Sequence, residues 1–293
     1  MKNFYFLTFI CLFSFFCNAQ NVPFEYMGAI KLNDSAFISY KLVFEETDGT
    51  IKGYSISDLG GPYETKSNIT GSYNQDTQDF SFKEYDIVYT KSPVDNFDMC
   101  LVHFSNSVRK LKTNKMFEGK FEGKYIDSKP CLSGDLFMTS VEIAQARAEK
   151  IDKKLQKSKR VSAEIKDKFS AGVTVDTLIQ SSIKKGENLN IFTKSKEVIF
   201  SIYDSGKVDN DRINLYINDK LVLENFSLTA KKQKIILTTI KDATVRVRIE
   251  AINEGLSSPN TVKIEILDND NLISTRTILN TSEDAFITFI NKI

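Results

Sequence analysis

Period-two alternation of apolar and charged residues is the feature that most constrains what this chain can fold into. It is clearest from residue 117 to residue 125, where Phe117, Gly119, Phe121, Gly123 and Tyr125 alternate with Glu and Lys. Only an extended strand sends successive side chains to opposite faces, so the segment predicts a β-strand with one buried and one wet face. The glycines on the buried face would let the strand bend or leave room inside, and we expect bending.

Similar alternation recurs through residues 20–140, in about eight short segments separated by turns rich in Gly, Asn and Asp. One pair of segments, residues 38–44 and 51–56, flanks Asp48-Gly49, which is typical of a hairpin turn. This pattern predicts an all-β N-terminal domain, either an antiparallel barrel or a two-layer sandwich. In general form it resembles lipocalin-like and avidin-like barrels.

Residues 141–190 change character, because Ala, Glu, Lys and Gln replace β-branched residues. Up to residue 169 the composition predicts one helix of about 29 residues. Its apolar positions sustain no heptad repeat, which argues against a coiled coil. Over residues 141–190, basic residues outnumber acidic ones by 11 to 7. That excess suits either docking to an anionic surface or a solvated spacer, and we expect the spacer, a basic helical linker.

Residues 191–293 return to period two. In residues 243–251, Ala, Val and Ile alternate with Thr, Arg and Glu, and residues 198–202, 213–217 and 262–266 repeat the pattern. Seven or eight such strands in about 100 residues predict an Ig-like β-sandwich. The whole chain is therefore expected to be mainly β, with two all-β domains joined by the helical linker.

The C-terminal region also carries a series of turns that resembles a known domain. The loop DSGKVDND at residues 204–211 precedes a strand, and NEG at 253–255 and SPNT at 258–261 follow later. Together they resemble a β-sandwich domain of proteins exported by bacteria of the Bacteroidota type. The usual domain has Gly where this chain has Asn210. The resemblance implies a compartment and a fold, and it brings no activity with it.

Residues 1–19 have the pattern of a secretory signal peptide. Lys2 precedes an apolar run of 13 residues, and Cys17-Asn18-Ala19 supplies a cleavage site. A membrane-spanning helix needs about 20 apolar residues, so we expect cleavage after Ala19 and no transmembrane segment in the mature chain. A lipoprotein signal at Cys17 is the alternative, disfavoured by the bulky Phe15 and Phe16 before it. The expected location is the periplasm, the outer surface or the medium.

Export leaves two cysteines, Cys100 and Cys131, and an even pair in an oxidising compartment predicts one disulfide. Closing that loop is worth about 3.5 kcal/mol in the chain-entropy model. The alternative is a Cys100 nucleophile with His103 as its base, but residues three apart on a strand lie on opposite faces. Without Lys2 the chain carries 38 basic and 38 acidic residues. This balance argues against nucleic acid as a partner.

The acidic loop is the candidate metal site. Asp204, Asp209 and Asp211 place three carboxylates between two predicted strands. Calcium takes six to eight oxygen ligands, so the loop could form part of a Ca²⁺ cage. Asp and Asn are also the residues that an ordinary turn prefers, and we expect the plain turn. The sequence indicates no other cofactor.

Enzyme chemistry has few candidates. One histidine cannot supply a usual zinc site, and neither a Gly-x-Ser-x-Gly elbow nor a phosphate-binding loop is present. Glu84 and Asp86 are predicted on one strand face and could act as an acid-base pair on a sugar.

These observations predict an exported, non-enzymatic binding or envelope-associated module whose partner is a protein or a glycan at the cell envelope. Two alternatives remain open. One is a carrier whose N-terminal barrel holds a small apolar ligand against Phe117, Phe121 and Tyr125. The other is a carbohydrate-active hydrolase that depends on Glu84.

Overall fold

The structure is a computed structural model that describes residues 23–32, 36–93, 98–109, 111, 113, 115–158, 160–162, 166, 181–204, 208–239, 243–269 and 271–292. Within these ranges the chain forms 18 strands and one helix, which confirms the prediction of a mainly β fold. The predicted signal peptide, residues 1–19, lies outside them.

The first eight strands and the helix are β1 (Phe24–Lys31), β2 (Phe37–Thr47), β3 (Thr50–Ser57), β4 (Thr65–Tyr73), β5 (Asp79–Thr90), β6 (Leu101–Ser107), β7 (Met116–Lys124), β8 (Gly134–Ser140) and α1 (Val141–Lys157). The later strands are β9 (Ser181–Lys184), β10 (Asn188–Thr193), β11 (Glu197–Tyr203), β12 (Arg212–Ile217), β13 (Lys220–Ser227), β14 (Gln233–Thr238), β15 (Thr244–Ala251), β16 (Lys263–Asp268), β17 (Asn271–Ile278) and β18 (Asp284–Asn291).

Strands β1 to β8 form a closed antiparallel barrel. Each strand pairs with the next along the chain, and β8 pairs back with β1. Of the two architectures that the sequence left open, the barrel is therefore the one observed. The predicted hairpin is β2 and β3, where Thr47 lies opposite Thr50. Asp48 and Gly49 have φ values of 50° and 78°, as a two-residue turn of this kind requires.

Aromatic side chains pack inside the barrel. Phe80 is central, because its ring centroid lies 5.6 Å from that of Phe44, 6.0 Å from that of Phe104 and 5.4 Å from that of Phe117. Leu111, from the connection between β6 and β7, is buried in the same cluster. Such ring contacts stabilise a core beyond the apolar area they bury.

The helix is shorter than predicted. Residues 141–169 were expected to form one helix, but α1 ends at Lys157 and Ser158 is extended. The physical reason is that α1 buries no side chain, so packing does not reward a longer helix. Lys153 and Lys157 are also like charges four residues apart, which disfavours helix at this end. In the described part of the chain, no helix is long and apolar enough to span a membrane.

The C-terminal half consists of two five-stranded arrays that face each other. One follows the order β13-β12-β15-β18-β10, and the other follows β14-β11-β16-β17-β9. Buried side chains of both arrays belong to one core. For example, Phe200 of β11 contacts Phe289 of β18 edge to face, with centroids 6.4 Å apart.

The Ig-like assignment of this half is not confirmed. β10 pairs with β18 in parallel, as does β17 with β9, whereas immunoglobulin sheets are antiparallel. Strands also begin at Ser181, inside the region predicted as a linker, and the predicted boundary at residue 191 falls within β10.

Strand β5 belongs to both halves of the molecule. Its first residues pair with β6 and close the barrel. Near its end, Tyr89 and Thr90 pair with Ile191 and Asn190 of β10. Tyr89 is buried in the core of the C-terminal half. The barrel therefore continues into the second half through backbone hydrogen bonds.

Candidate functional site

A groove crosses the outer wall of the barrel over β4, β5, β6 and β7. Its volume is about 810 Å³, within the usual range of ligand sites. Period two creates its surface, because Phe82, Phe104 and Phe121 point inward while their neighbours face solvent. The groove is lined by two cross-strand rows of polar residues, Thr70, Lys83, His103 and Glu122 in one and Ser72, Ser81, Ser105 and Lys120 in the other.

The groove is hydroxyl-rich and carries a small positive charge. The hydroxyl oxygens of Ser72 and Ser81 lie 3.1 Å apart and share a hydrogen bond. Burial lowers the pKa of His103 below 6.5, and Lys124 and Lys83 lower it further. His103 is therefore neutral near pH 7, where its ring can both donate and accept a hydrogen bond. The groove is lined by two lysines, Lys83 and Lys120, and one glutamate, Glu122, so these side chains give it one net positive charge.

The predicted disulfide is confirmed. Cys100 and Cys131 are bonded, with Cα atoms 6.0 Å apart. The alternative of a Cys100 nucleophile with His103 is therefore wrong, since that sulfur atom is not a thiol. A close backbone contact explains why position 123, one of the alternating glycines of β7, is a glycine. A Cβ at Gly123 would lie 1.8 Å from the carbonyl oxygen of Leu132. The space at Gly123 thus admits the chain that carries Cys131.

The structure separates the three residues predicted to hold an apolar ligand. Phe117 and Phe121 are buried among the barrel's core residues. The ring centroid of Phe117 lies 5.0 Å from that of Tyr26, so neighbouring side chains already contact this ring. Tyr125 comes after the last residue of β7 and is only half-buried.

Glu84 and Asp86 do not share a face, so that prediction is wrong. Glu84 lies opposite Ile69 and Asp86 lies opposite Asn68, with an irregularity in register between them. This irregularity is a β-bulge in which Tyr85 is the extra residue. The extra residue makes the side chains that follow it point to the opposite face of the sheet. Asp86 instead forms an ion pair with Lys292, with 3.2 Å between oxygen and nitrogen.

Glu84 is buried inside the barrel. One carboxylate oxygen accepts a hydrogen bond from the Tyr40 hydroxyl at 2.8 Å and another from the Ser55 hydroxyl. The other oxygen accepts from the backbone N–H of Val102 at 2.7 Å. Burial raises the pKa of Glu84, and these three donors oppose that rise. Both oxygens of the Glu84 carboxylate thus accept hydrogen bonds from the barrel wall.

The three aspartates of the acidic loop are buried, unlike the side chains of an ordinary surface turn. Asp204, Asp209 and Asp211 are 5%, 6% and 2% exposed. Residues 205–207 between them lie outside the described ranges. Burial, helped by the nearby carboxylates of Asp209, Asp204 and Glu254, raises the pKa of Asp211 to about 6, although the hydrogen bond from the Thr261 N–H opposes the rise.

Two oxygen atoms beside this loop lack hydrogen bonds from the described part of the chain, Asp211 Oδ1 and Asn260 Oδ1. Asn260 is fully buried. Across the ranges that the structure covers, no group of three or more His, Cys, Asp or Glu side chains is arranged to hold a metal ion.

Sequence reasoning missed both the groove and Asn260. The polar rows arise only when four strands align in register, which period two alone does not specify. Asn260 is brought to the acidic loop by contacts between segments about 50 residues apart, such as the hydrogen bond from the Thr261 N–H to Asp211.

No protein-family model matches the sequence, and no curated protein matches it. Among solved structures, the chain is similar to one described as a polysaccharide lyase, at 8% identity and a TM-score of 0.16. The alignment covers 89% of this chain and 40% of the lyase chain. At that score the likeness supports neither a fold assignment nor an activity.

Proposed function

We propose that this chain is an exported, non-enzymatic binding module of the cell envelope that holds an acidic glycan in the groove across β4 to β7. The observation that carries the proposal is the pair of polar rows lining the groove. The Ig-like character of the C-terminal half and export through residues 1–19 belong to the same proposal.

The chemistry of the groove favours a polyhydroxylated ligand. Four hydroxyl side chains, those of Thr70, Ser72, Ser81 and Ser105, offer donors and acceptors along its length. A carboxylated sugar would also meet the ammonium groups of Lys83 and Lys120. A protein partner normally covers about 800 Å² on each side, which suits a broad surface better than a groove of this size.

The barrel interior supports the carrier alternative less well. Phe80 contacts four other rings, and Phe117 contacts Tyr26, Phe80 and Phe104. An apolar ligand would have to displace this packing at a cost of several kcal/mol. The hydrolase alternative lacks its pair of carboxylates, because Glu84 and Asp86 occupy different environments.

Titration calorimetry with short uronic acid oligosaccharides tests the proposal. We expect binding by the mature chain and loss of about tenfold or more in affinity when Lys83 and Lys120 are both changed to Glu, since tenfold corresponds to about 1.4 kcal/mol. Neutral oligosaccharides of the same length should bind more weakly than the acidic ones.

The matched control changes Lys220 and Lys231 to Glu. Both are exposed in the C-terminal half, so this variant has the same net charge without altering the groove. Equal loss of affinity in both double variants would show a general charge effect and overturn the assignment to the groove. Absence of binding to any acidic oligosaccharide would overturn the choice of ligand.

A further inference from the structure

We propose that the C-terminal half binds one calcium ion between the three buried aspartates and Asn260. The donors of this calcium site would be the carboxylates of Asp204, Asp209 and Asp211 and the side-chain carbonyl of Asn260. The inference is independent of the groove on the barrel, which lies on other strands.

The first observation is the uncompensated burial of Asp211. Asp211 is 2% exposed, and its Oδ2 accepts a hydrogen bond from the Thr261 N–H at 2.9 Å. Its Oδ1 accepts none from the described residues. An ionised carboxylate in that position is costly unless a cation compensates it. The charged groups that act on Asp211 are themselves acidic: Asp209, Asp204 and Glu254.

The second observation is Asn260, whose amide is already oriented by the fold. Its Nδ2 donates to the carbonyl oxygens of Asn253 at 2.8 Å and Arg212 at 3.2 Å. Both donor hydrogens are used, so the carbonyl end is held in place. This Oδ1 accepts no hydrogen bond from the described part of the chain. A buried amide oxygen in that state is a ready ligand for a hard cation.

Two hydrogen bonds bring together the residues that carry these two oxygen atoms. Asn260 bonds to the carbonyl of Arg212, the residue after Asp211, and Asp211 bonds to the N–H of Thr261, the residue after Asn260. Asp209 joins them through the 253–256 turn, since its carbonyl accepts from the Leu256 N–H at 2.9 Å.

The turn at Gly255 leaves no room for a side chain beside this site. A Cβ at Gly255 would lie 2.7 Å from Oδ1 of Asp209, and its φ is +55°. Glycine thus allows the turn to approach the Asp209 carboxylate directly.

Calcium suits this donor set better than the common alternatives. Carboxylate, amide and carbonyl oxygens are its usual ligands, and it accepts irregular geometry, whereas magnesium demands a near-ideal octahedron. Zinc would need His or Cys, which the donor set lacks. Without an ion, the carboxylates of the three aspartates repel one another. A divalent cation between them would offset that repulsion and bring them closer together.

Calorimetric titration of the mature chain with CaCl₂ tests the calcium site, together with thermal unfolding in CaCl₂ and in EDTA. We expect one ion per chain, a dissociation constant of about 10⁻⁴ to 10⁻³ M and a Tm that rises by several degrees in about 10 mM CaCl₂. Asp211→Asn keeps the side-chain shape and an acceptor for the Thr261 N–H, and it should abolish both effects.

Asp219→Asn is the matched control, because Asp219 is exposed in the turn between β12 and β13 and should leave calcium binding unchanged. Asp209→Asn provides a second site variant in case Asp211→Asn fails to fold. No heat and no Tm shift in the unmodified chain would overturn the inference. Calcium binding that survives in both Asp209→Asn and Asp211→Asn would overturn it equally.

Discussion

Glu84 has a carboxylate inside the barrel, and all three of its described donors come from the barrel wall. Changing it to Gln would keep an acceptor for Tyr40 and Ser55 but would turn an NH₂ group toward the Val102 N–H. We expect Glu84→Gln to lower the free energy of unfolding by about 1–3 kcal/mol, measured by urea denaturation. Glu118→Gln, on the exposed face of β7, serves as the control. An unchanged midpoint for Glu84→Gln would mean that the network contributes little.

Asp211 should make the metal-free protein less stable as pH rises. Its pKa is about 6 in the folded chain against 3.8 ordinarily, so the folded state holds a proton that the unfolded state has released. This contribution is present at low pH and is lost as pH rises through about 6, at most about 3 kcal/mol. In EDTA, we expect Asp211→Asn to raise Tm more at pH 7.5 than at pH 5.

The comparison with Asp211→Asn isolates this group, because the other carboxylates that act on it, Asp204, Asp209 and Glu254, are present in both proteins. A difference in Tm that stays constant with pH would contradict the assignment. Excess CaCl₂ should reverse the trend, since calcium binds the ionised carboxylate.

At the residue scale, the sequence identified candidates whose evidence is local. The disulfide between Cys100 and Cys131 was predictable because the predicted signal peptide contains the other two cysteines of the sequence. The sequence shows that the three aspartates are close together along the chain, but it does not show that they are buried. Asn260 is an ordinary turn residue until the fold places it beside Asp211.

At the scale of elements, the glycines of β7 offer a direct comparison. A Cβ at Gly123 would meet the Leu132 carbonyl at 1.8 Å, whereas one at Gly119 would meet the movable amide of Asn106 at 2.4 Å. We expect Gly123→Ala to destabilise the protein by about 1–3 kcal/mol and Gly119→Ala by less, measured by thermal and urea unfolding. Equal effects would show that the Leu132 segment can move aside.

Strand positions were predictable because a half-buried strand leaves its period in the sequence, as β7 and the β2–β3 hairpin do. The end of α1 was not, because composition favours helix well beyond Lys157 while packing gives that helix no buried contact. The bulge at Tyr85 was also missed, since it depends on how β4 aligns with β5.

At the scale of the whole molecule, periodicity could not distinguish a barrel from a sandwich, because both present one buried face per strand. The sequence also gave no sign that β5 is shared between the barrel and the C-terminal half. Val88 and Tyr89 lie in the C-terminal core although they belong to a barrel strand. The break between domains that composition suggested is therefore bridged by a strand.

This sharing predicts that barrel and C-terminal half unfold together. We expect one calorimetric transition, whose calorimetric and van't Hoff enthalpies agree. Two resolved transitions would contradict the prediction.

The disulfide provides a test of the same coupling. Changing Cys100 and Cys131 to Ser should cost about 3.5 kcal/mol, because the bond closes a loop with a sequence separation of 31. If the halves are coupled, the whole transition should move to lower temperature in this variant. A shift confined to part of the unfolding heat would show that the barrel melts alone.

The shared strand also has a mechanical consequence. β5 carries Ser81 and Lys83 of the groove at one end and pairs with β10 at the other. A pull on a ligand held in the groove would therefore travel along one continuous backbone into the C-terminal half. An anchor on that half would bear the tension directly.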